Sequence, residues 1–329
     1  MPDSSSPLIV AVGASAGGVE ALTALVAHLP ENFPHVMLVA LHMPENGTSA
    51  LAQILDRSGL LPAVTAESGA ALRPGVIHVA RPGRHLLVDG GEALLSDGPT
   101  ENGHRPSINA LFRSVAVSAE TRAVGVLLSG VGDDGVDGLA AIQARGGIAI
   151  AQHPNDAVYP TLPGHAIEEV GVDHVLPAAR IGPMLMRMDQ RPRPPSTSLD
   201  RERLEFENFI ASSSRFERHP TADHLGTPSG YVCPDCGGAL IAIDEKHNFR
   251  CHIGHAWTGH ALLEAQSSKI DGALAVALRS LHERIHLANS LAVKSRPGPL
   301  QDRYNLHAKE ALQAATVLSA ALTQHPFEP

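Results

Sequence analysis

Three residues of the chain carry the side-chain types of a serine hydrolase, and each follows a run of apolar residues. Ser15 lies in a Gly-x-Ser-x-Gly turn between the apolar run 8–12 and a helical pattern. His42 and Asp134 come after two further apolar runs. A serine nucleophile needs a base within hydrogen-bond reach, and the base needs an acceptor that orients it. Because the carboxyl ends of parallel strands meet at one sheet edge, this placement favours a Ser–His–Asp group there.

Each of these residues also has a simpler explanation. Ser15 could cap the helix that follows it. His42 could be a hydrogen-bonded polar residue at a strand end, and Asp134 could serve only the glycine-rich turn around it. Spacing by itself therefore leaves both the catalytic and the structural interpretation open.

Two other kinds of site that use a glycine-rich turn, a dinucleotide site and an ordinary α/β-hydrolase site, agree less well with the sequence. A dinucleotide site needs Gly-x-Gly-x-x-Gly and an acidic residue about 20 positions later. Gly13, Gly17 and Gly18 have a different spacing, and the second predicted strand is followed by His42. An ordinary α/β-hydrolase places its triad in the order Ser, Asp, His, whereas the order here is Ser, His, Asp.

The surrounding pattern predicts an α/β fold, a doubly wound and mainly parallel sheet of the Rossmann-like, three-layer kind, within residues 1–190. Short aliphatic runs alternate there with amphipathic helical patterns, as in a parallel sheet covered on both faces. Residues 86–95 predict a hairpin with a glycine turn. The predicted strands are 8–12, 36–41, 76–80, 123–129, 148–151 and 174–176, and the predicted helices include 19–29, 107–119, 136–144 and 181–189.

Composition limits the cellular setting and the partners. The net charge of −9 argues against general nucleic-acid binding, which needs a basic surface. The chain starts without the features of a signal peptide, and no apolar run approaches the ~20 residues of a membrane span. We therefore expect a cytoplasmic protein with no membrane insertion. Three cysteines in such a compartment favour metal binding over disulfides.

All three cysteines fall in residues 226–257, which we call the cysteine module. Cys233 and Cys236 form one knuckle, and Cys251 with His255 supplies the other two candidate ligands of a tetrahedral zinc site. His252 is a rival fourth ligand, with His247 and His260 as weaker ones. A site closed by four protein ligands is structural, so we expect structural zinc and no cofactor for catalysis.

Composition also divides the chain. Residues 191–200 are rich in proline, arginine and serine and predict a linker between a catalytic domain, 1–190, and a second region, 201–329. That region begins with a short charged helix at 201–209 and continues into the cysteine module. Two helical patterns then follow, 261–292 and 304–322, whose apolar stripes predict a helical hairpin.

The motifs together resemble the chemotaxis-type protein-glutamate methylesterases, which also act as protein-glutamine deamidases. The resemblance covers about residues 7–180 and implies Ser15 as nucleophile, His42 as base and Asp134 as the residue that orients the base. Asp133 and Asp137 are the alternatives to Asp134. The motifs that carry it are VGASAGG at 12–18, LHMP at 41–44, RPSINALF at 105–112 and LSGVGDDG at 128–135, with further similarity from 74 to 85.

The chain departs from the family pattern at two places near the motifs. Ala16 stands where the family commonly has threonine, and Val131 where it commonly has methionine, at a position associated with the oxyanion site. The family's familiar member also carries an N-terminal receiver domain. Here the esterase-like strand begins almost at the first residue, so we expect a stand-alone form in which the cysteine module resembles a zinc-ribbon-like C-terminal extension.

The resemblance implies a methyl-accepting chemoreceptor-like protein as the substrate. Four basic residues, Arg84, His85, His104 and Arg105, are candidates for a cleft that receives an acidic receptor segment, or else ordinary surface residues. The alternative function is a non-catalytic or regulatory binding module that keeps the fold. In that case the zinc and helical region recruits a signalling partner, and a regulatory partner through the C-terminal helices is compatible with either function.

Overall fold

A computed structural model describes residues 6–188, 201–213, 226–244 and 247–324. Its internal contacts divide the chain into two compact units, Met1–Leu262 and Leu263–Pro329. The predicted linker, 191–200, lies outside the described residues. The domain limits expected from the sequence therefore stay a prediction, and the cysteine module belongs to the first compact unit.

The first unit is built from short strands and helices. Its strands are β1 (Ile9–Ala14), β2 (Val36–Leu41), β3 (Ala63–Thr65), β4 (Ala70–Ala71), β5 (Ile77–Val79), β6 (His85–Asp89), β7 (Glu92–Ser96), β8 (Ala123–Leu127), β9 (Ile148–Gln152), β10 (His174–Leu176), β11 (Thr227–Val232), β12 (Ala239–Ala242), β13 (Phe249–Cys251) and β14 (Ala256–Trp257). Its helices are α1 (Gly18–Val26), α2 (Leu51–Ser58), α3 (Ile108–Ala119), α4 (Val136–Ala144), α5 (Thr161–His165), α6 (Ala178–Leu185) and α7 (Arg201–Ser212).

A parallel sheet forms the centre of this unit. In the described residues its order is β10-β9-β8-β1-β2-β5-β3, and every pair of neighbours is parallel. Alternate residues of β1 enter two different cores, Val10 and Val12 on one face and Ile9 and Ala11 on the other. The first core includes residues of α1 and α6, and the second includes residues of α3 and α4. The predicted parallel α/β class is thus confirmed.

The predicted hairpin is also present. Strands β6 and β7 pair antiparallel, and β4 adds to β7. Gly90 and Gly91 connect β6 to β7 with φ values of 54° and 87°. Two successive residues in the left-handed region suit the twist of a two-residue hairpin turn, which is why glycine occupies both positions.

Strands β11 to β14 form a separate antiparallel sheet in the cysteine module. A buried charge network joins this sheet to the rest of the unit. Arg250 of β13 lies 3.8 Å from Glu101 and 3.7 Å from Glu207 of α7, and Arg113 of α3 contacts both carboxylates. Because Arg250, Arg113 and Glu101 are almost inaccessible to solvent, these pairs are screened little.

The described residues of the second unit, 263–324, are mainly helical. Helix α8 spans Gly259–Lys294, beginning in the first unit, and α9 spans Pro299–Gln324. The two helices contact each other: the Gln301 amide donates to the carbonyl of Ala292 at 3.0 Å, and Arg284 lies 3.4 Å from His307 Nδ1. Of the helices in the described residues, none combines the length and hydropathy needed to span a bilayer.

Candidate active site

Ser15 occupies the turn between the central strand β1 and α1. Its backbone N–H donates to the Ser129 carbonyl at 3.0 Å, and its carbonyl accepts from Gly18, which fixes the turn. Gly17 has φ 67°, and a Cβ there would lie 2.7 Å from Ser129 Oγ and 2.8 Å from Val158 Cβ. Only glycine therefore fits this turn, which presents the partly buried Ser15 hydroxyl at the carboxyl edge of the sheet.

His42 reaches Ser15 from the neighbouring strand. It follows β2, which pairs in register with β1, and its backbone N–H donates to the Ala14 carbonyl at 3.1 Å. The Nδ1 atom of the imidazole lies 3.1 Å from Ser15 Oγ. Parallel pairing of the two strands thus places the ring beside the hydroxyl.

Asp134 holds the opposite side of the His42 ring. Its Oδ2 atom lies 2.8 Å from His42 Nε2, and the histidine and aspartate side chains are 7% and 2% exposed. The carboxylate also receives hydrogen bonds from the α3 N-terminus and its flanking segment. The donors are the Ser107 hydroxyl at 3.0 Å, the Ile108 N–H at 2.6 Å, the Asn109 N–H at 3.4 Å and the Asn102 amide at 3.4 Å.

These contacts keep Asp134 ionised. Burial on its own raises the pKa of the Asp134 carboxyl, but the hydrogen bond and charge of His42, the charge of His104 and the Ile108 N–H outweigh it. The net pKa lies below the ordinary aspartate value. With a carboxylate at Nε2, the tautomer with the proton on Nε2 leaves Nδ1 free to accept the Ser15 proton.

His104 stacks on the imidazole of His42. The ring centroids are 3.6 Å apart and the planes are inclined by 12°. Burial lowers the pKa of His104 to about 4, and the neighbouring His42 charge acts in the same direction. The His104 ring is therefore neutral near pH 7 and offers His42 a flat, uncharged neighbour.

The two alternative aspartates have other surroundings. Asp133 is buried, and desolvation raises the pKa of its carboxyl, with the Asp134 charge adding to the effect. Asp137 lies in the first turn of α4. Of the three aspartates, Asp134 is the one hydrogen-bonded to His42.

Two of the four basic cleft candidates have structural contacts instead. His85 is fully buried and bonds the Pro99 carbonyl at 2.9 Å and the Ser107 N–H at 3.2 Å. Arg105 is buried, donates to the Gly83 and Gly98 carbonyls and pairs with Glu45. Both side chains hold the loops that lead into α3. Of the other two candidates, Arg84 is exposed and His104 is partly buried.

The four candidate metal ligands lie together in the cysteine module. The Sγ atoms of Cys233, Cys236 and Cys251 and a ring nitrogen of His255 are all within 4.8 Å of one another. His255 Nδ1 is 3.7 Å from Cys233 Sγ and 3.5 Å from Cys251 Sγ. A tetrahedral zinc with bonds of about 2.3 Å to sulfur has ligand separations of roughly 3.7 Å, so this donor set fits the ion. The rival His252 is exposed and outside the group.

Sequence reasoning missed the residues that support Asp134. Ser107 caps α3 by accepting from the Ala110 N–H and also donates to Asp134. A serine directly before an apolar helical run is a cap signal that could have identified it. Asn102 gave no such signal, because it lies outside any helix or strand with φ 53°.

Comparison with known proteins gives one consistent result for the first part of the chain. Residues 10–185 match the sequence model of the CheB methylesterase family. The Thermotoga maritima CheB methylesterase catalytic domain has a similar structure, with a TM-score of 0.53 and 32% identity. That alignment covers 55% of this chain and 98% of the solved one.

Curated relatives agree over the same region. A protein-glutamate methylesterase/protein-glutamine glutaminase from Chromobacterium violaceum is 41% identical over 181 residues, which are 54% of this chain and 50% of that protein. One from Caldanaerobacter subterraneus is 36% identical over 191 residues, 56% of this chain and 52% of that protein. The chain thus spans about half the length of the curated relatives it matches.

Proposed function

Because the chain belongs to the CheB methylesterase family, we propose that it is a serine hydrolase that removes methyl groups from glutamate methyl esters of chemoreceptor-like proteins. The observation that carries the proposal is the contact series from Ser15 Oγ to His42 Nδ1 and from His42 Nε2 to Asp134 Oδ2. Nucleophile, base and orienting acceptor are then in hydrogen-bond reach of one another, as such a reaction requires.

In the proposed reaction, Ser15 Oγ attacks the ester carbonyl carbon while His42 Nδ1 takes its proton. Asp134 accepts from His42 Nε2–H and stabilises the positive charge that the ring gains. The tetrahedral intermediate collapses, His42 returns the proton to the leaving oxygen, and methanol departs. A water molecule, deprotonated by His42, then cleaves the acyl-enzyme to give glutamate and free Ser15. A glutamine side chain would react by the same steps with ammonia as leaving group.

The oxyanion of this intermediate needs main-chain donors. The Ser15 N–H is engaged by the Ser129 carbonyl, so we assign this role to neighbouring N–H groups of the Ser15 turn and of the turn at Val131. Ala16 and Val131 retain their backbone N–H groups, while the Ala16 side chain can donate no hydrogen bond. Losing one oxyanion donor typically costs about 3 kcal/mol in the barrier.

The test combines product analysis with covalent labelling. Ser15→Ala should abolish methanol release from methylated receptor peptides and remove labelling by a fluorophosphonate. Ser280→Ala, which alters an exposed serine of α8, is the matched control and should behave like the parent chain. Unchanged methanol release in Ser15→Ala would contradict the proposal.

The alternative, a non-catalytic binding module, has its own signature. Helices α8 and α9 expose apolar side chains such as Ile270, Val276 and Val317, which could contact a regulatory partner. An inert Ser15 combined with tight partner binding would favour that function over hydrolysis.

We also propose that Cys233, Cys236, Cys251 and His255 hold one structural zinc ion, which would cross-link the two ends of the cysteine module. The support is the closeness of their four ligand atoms and the fit of the donor set described above. His255→Asn should lower the zinc content measured by mass spectrometry well below one ion per chain. His252→Asn is the control and should keep the zinc, and equal zinc loss in both variants would contradict the ligand set.

A further inference from the structure

The cysteine module pairs with the segment that leads to the active site. The Ala256 N–H donates to the Thr100 carbonyl at 3.2 Å, and the Asn102 N–H donates to the Ala256 carbonyl at 2.8 Å. Thr258, the residue after Trp257 of β14, donates its N–H to the Asn102 side-chain oxygen at 2.9 Å. The end of the module thus pairs with residues 100–102, as a short parallel β-bridge between Glu101 and Ala256.

The Asn102 side chain contacts both the triad and Thr258, the residue directly after the cysteine module. Its oxygen accepts from Thr258, and its Nδ2 donates to Asp134 Oδ1 at 3.4 Å. The side chain is buried, with 8% exposure, so water does not compete strongly for either contact. One amide therefore connects the end of the cysteine module, through Thr258, to the carboxylate that holds His42.

Further contacts hold the module at this place. The Thr258 side chain is close enough to Asp133, the neighbour of Asp134, to lower the pKa of that carboxyl and so offset part of the effect of its burial. The ring of Trp257 lies against Gly103, where an added Cβ would be 3.3 Å from the ring. Arg250 anchors the same sheet at Glu101, one residue before Asn102. The module thus touches residues on both sides of Asn102.

From this geometry we propose that the cysteine module is a positioning part of the active site, acting on Asp134 through the Asn102 amide. A docked module orients the Asn102 side chain, and the amide then holds Asp134 Oδ1 while Oδ2 faces His42. Asn102 is a positioning residue and does not touch the reacting atoms. The role of this contact in hydrolysis rests on the proposed function, but its effect on the bond between Asp134 and His42 does not.

The direct test is Asn102→Gly. Glycine tolerates the φ of 53° at this position, so the variant removes the amide without straining the turn. We expect the low-field proton resonance of the bond between His42 Nε2 and Asp134 to move or broaden, and fluorophosphonate labelling of Ser15 to slow roughly 2- to 10-fold, the range for one hydrogen bond. Asn32→Gly, an exposed turn residue before β2, is the control and should change neither readout.

A second variant perturbs the module at a different contact, the pair between Arg250 and Glu101. Arg250→Met removes the anchor at Glu101, and the single tryptophan, Trp257, reports docking by its fluorescence. Loosening the module should change the Trp257 emission and move the same low-field resonance. Combining Arg250→Met with Asn102→Gly should add little to the resonance change of Asn102→Gly alone, because both act through one amide.

The outcomes are distinct. An unchanged resonance in Asn102→Gly would overturn the proposal, as would an altered Trp257 emission in Arg250→Met without any change at the triad. Additive effects in the double variant would also overturn it. If receptor demethylation is not observed while the resonance responds as expected, the proposed function fails and the positioning role stands.

Discussion

The imidazole of His104 lies face to face with that of His42, at a centroid distance of 3.6 Å. Two protonated rings could not remain in this arrangement without strong repulsion. Burial, together with the His42 charge, keeps the pKa of His104 at about 4, so the stacked partner stays neutral when His42 takes a proton. The stacking therefore restricts the tilt of the His42 ring without competing for its charge.

His104→Gln should make folding less sensitive to acid. In the unfolded chain His104 has the ordinary histidine pKa of 6.5, whereas in the folded chain its pKa is about 4. Between these values the unfolded state binds more protons, so the parent loses stability as pH falls, by up to about 1.4 kcal/mol per pH unit for this proton. Denaturant titrations at pH 7, 6, 5 and 4 should show a shallower decline in the variant. An identical decline in both proteins would contradict the burial of His104.

Asp134→Asn should remove most of the activity. An amide at this position can donate to His42 Nε2 and so favours the tautomer with the proton on Nδ1, which cannot accept from Ser15. The rate of Ser15 labelling or methanol release should fall by a factor on the order of 10⁴. Asp89→Asn changes an exposed aspartate of the hairpin and serves as control. A fall below tenfold would show that Asp134 does not orient the base.

Gly17→Ala should disturb the turn that presents Ser15. The left-handed φ disfavours alanine, and its methyl group would meet Ser129 Oγ and Val158. We expect a loss of about 1–3 kcal/mol in the free energy of unfolding together with slower labelling of Ser15. Gly272→Ala, in an open helical position of α8, should instead be neutral or slightly stabilising. Equal stability of both variants would contradict the tight fit at Gly17.

Arg250→Met should destabilise the first unit. The substitution leaves the buried Glu101 and the partly buried Glu207 with one cation fewer, and breaking a buried charge network typically costs about 3–5 kcal/mol. Chemical denaturation followed by Trp257 fluorescence measures the loss. Arg81→Met, which breaks an exposed pair with Glu67, should leave the midpoint nearly unchanged. Similar midpoints for both variants would show that the buried network contributes little.

Most strands of the parallel sheet could be predicted from the sequence, but the exposed edge strand β3 could not. Central strands are covered on both faces and so appear as apolar runs: the run 36–41 coincides with β2, which is buried throughout. The run 174–176 coincides with β10, a partly buried strand at one edge of the sheet. Strand β3 lies at the sheet edge with two of its three residues exposed, so it lacks such a run and escaped prediction. Helix boundaries shifted by a few residues, as for α1, because capping rather than apolar spacing decides where a helix ends.

The candidate site also contains residues whose positions could be predicted from the sequence and residues whose positions could not. The proximity of Ser15, His42 and Asp134 follows from strand ends, which the apolar runs reveal. The contact between Asn102 and Thr258 joins residues 156 positions apart in irregular segments, and no local pattern encodes such a meeting. The burial of His85 and Arg105 escaped prediction for a related reason, since their carbonyl partners depend on loop conformation.

The distance along the chain between Asp134 and Thr258 has a consequence for synthesis on the ribosome. Ser15, His42 and Asp134 leave the ribosome first, each with the strand that precedes it. Thr258, which donates to the Asn102 side chain, follows Asp134 by roughly 120 positions. At translation rates of about 5–20 residues per second, this interval lasts on the order of ten seconds. Throughout it a growing chain holds the three side chains but lacks the module that contacts Asn102, so the fully supported site belongs only to chains that have been made past Thr258.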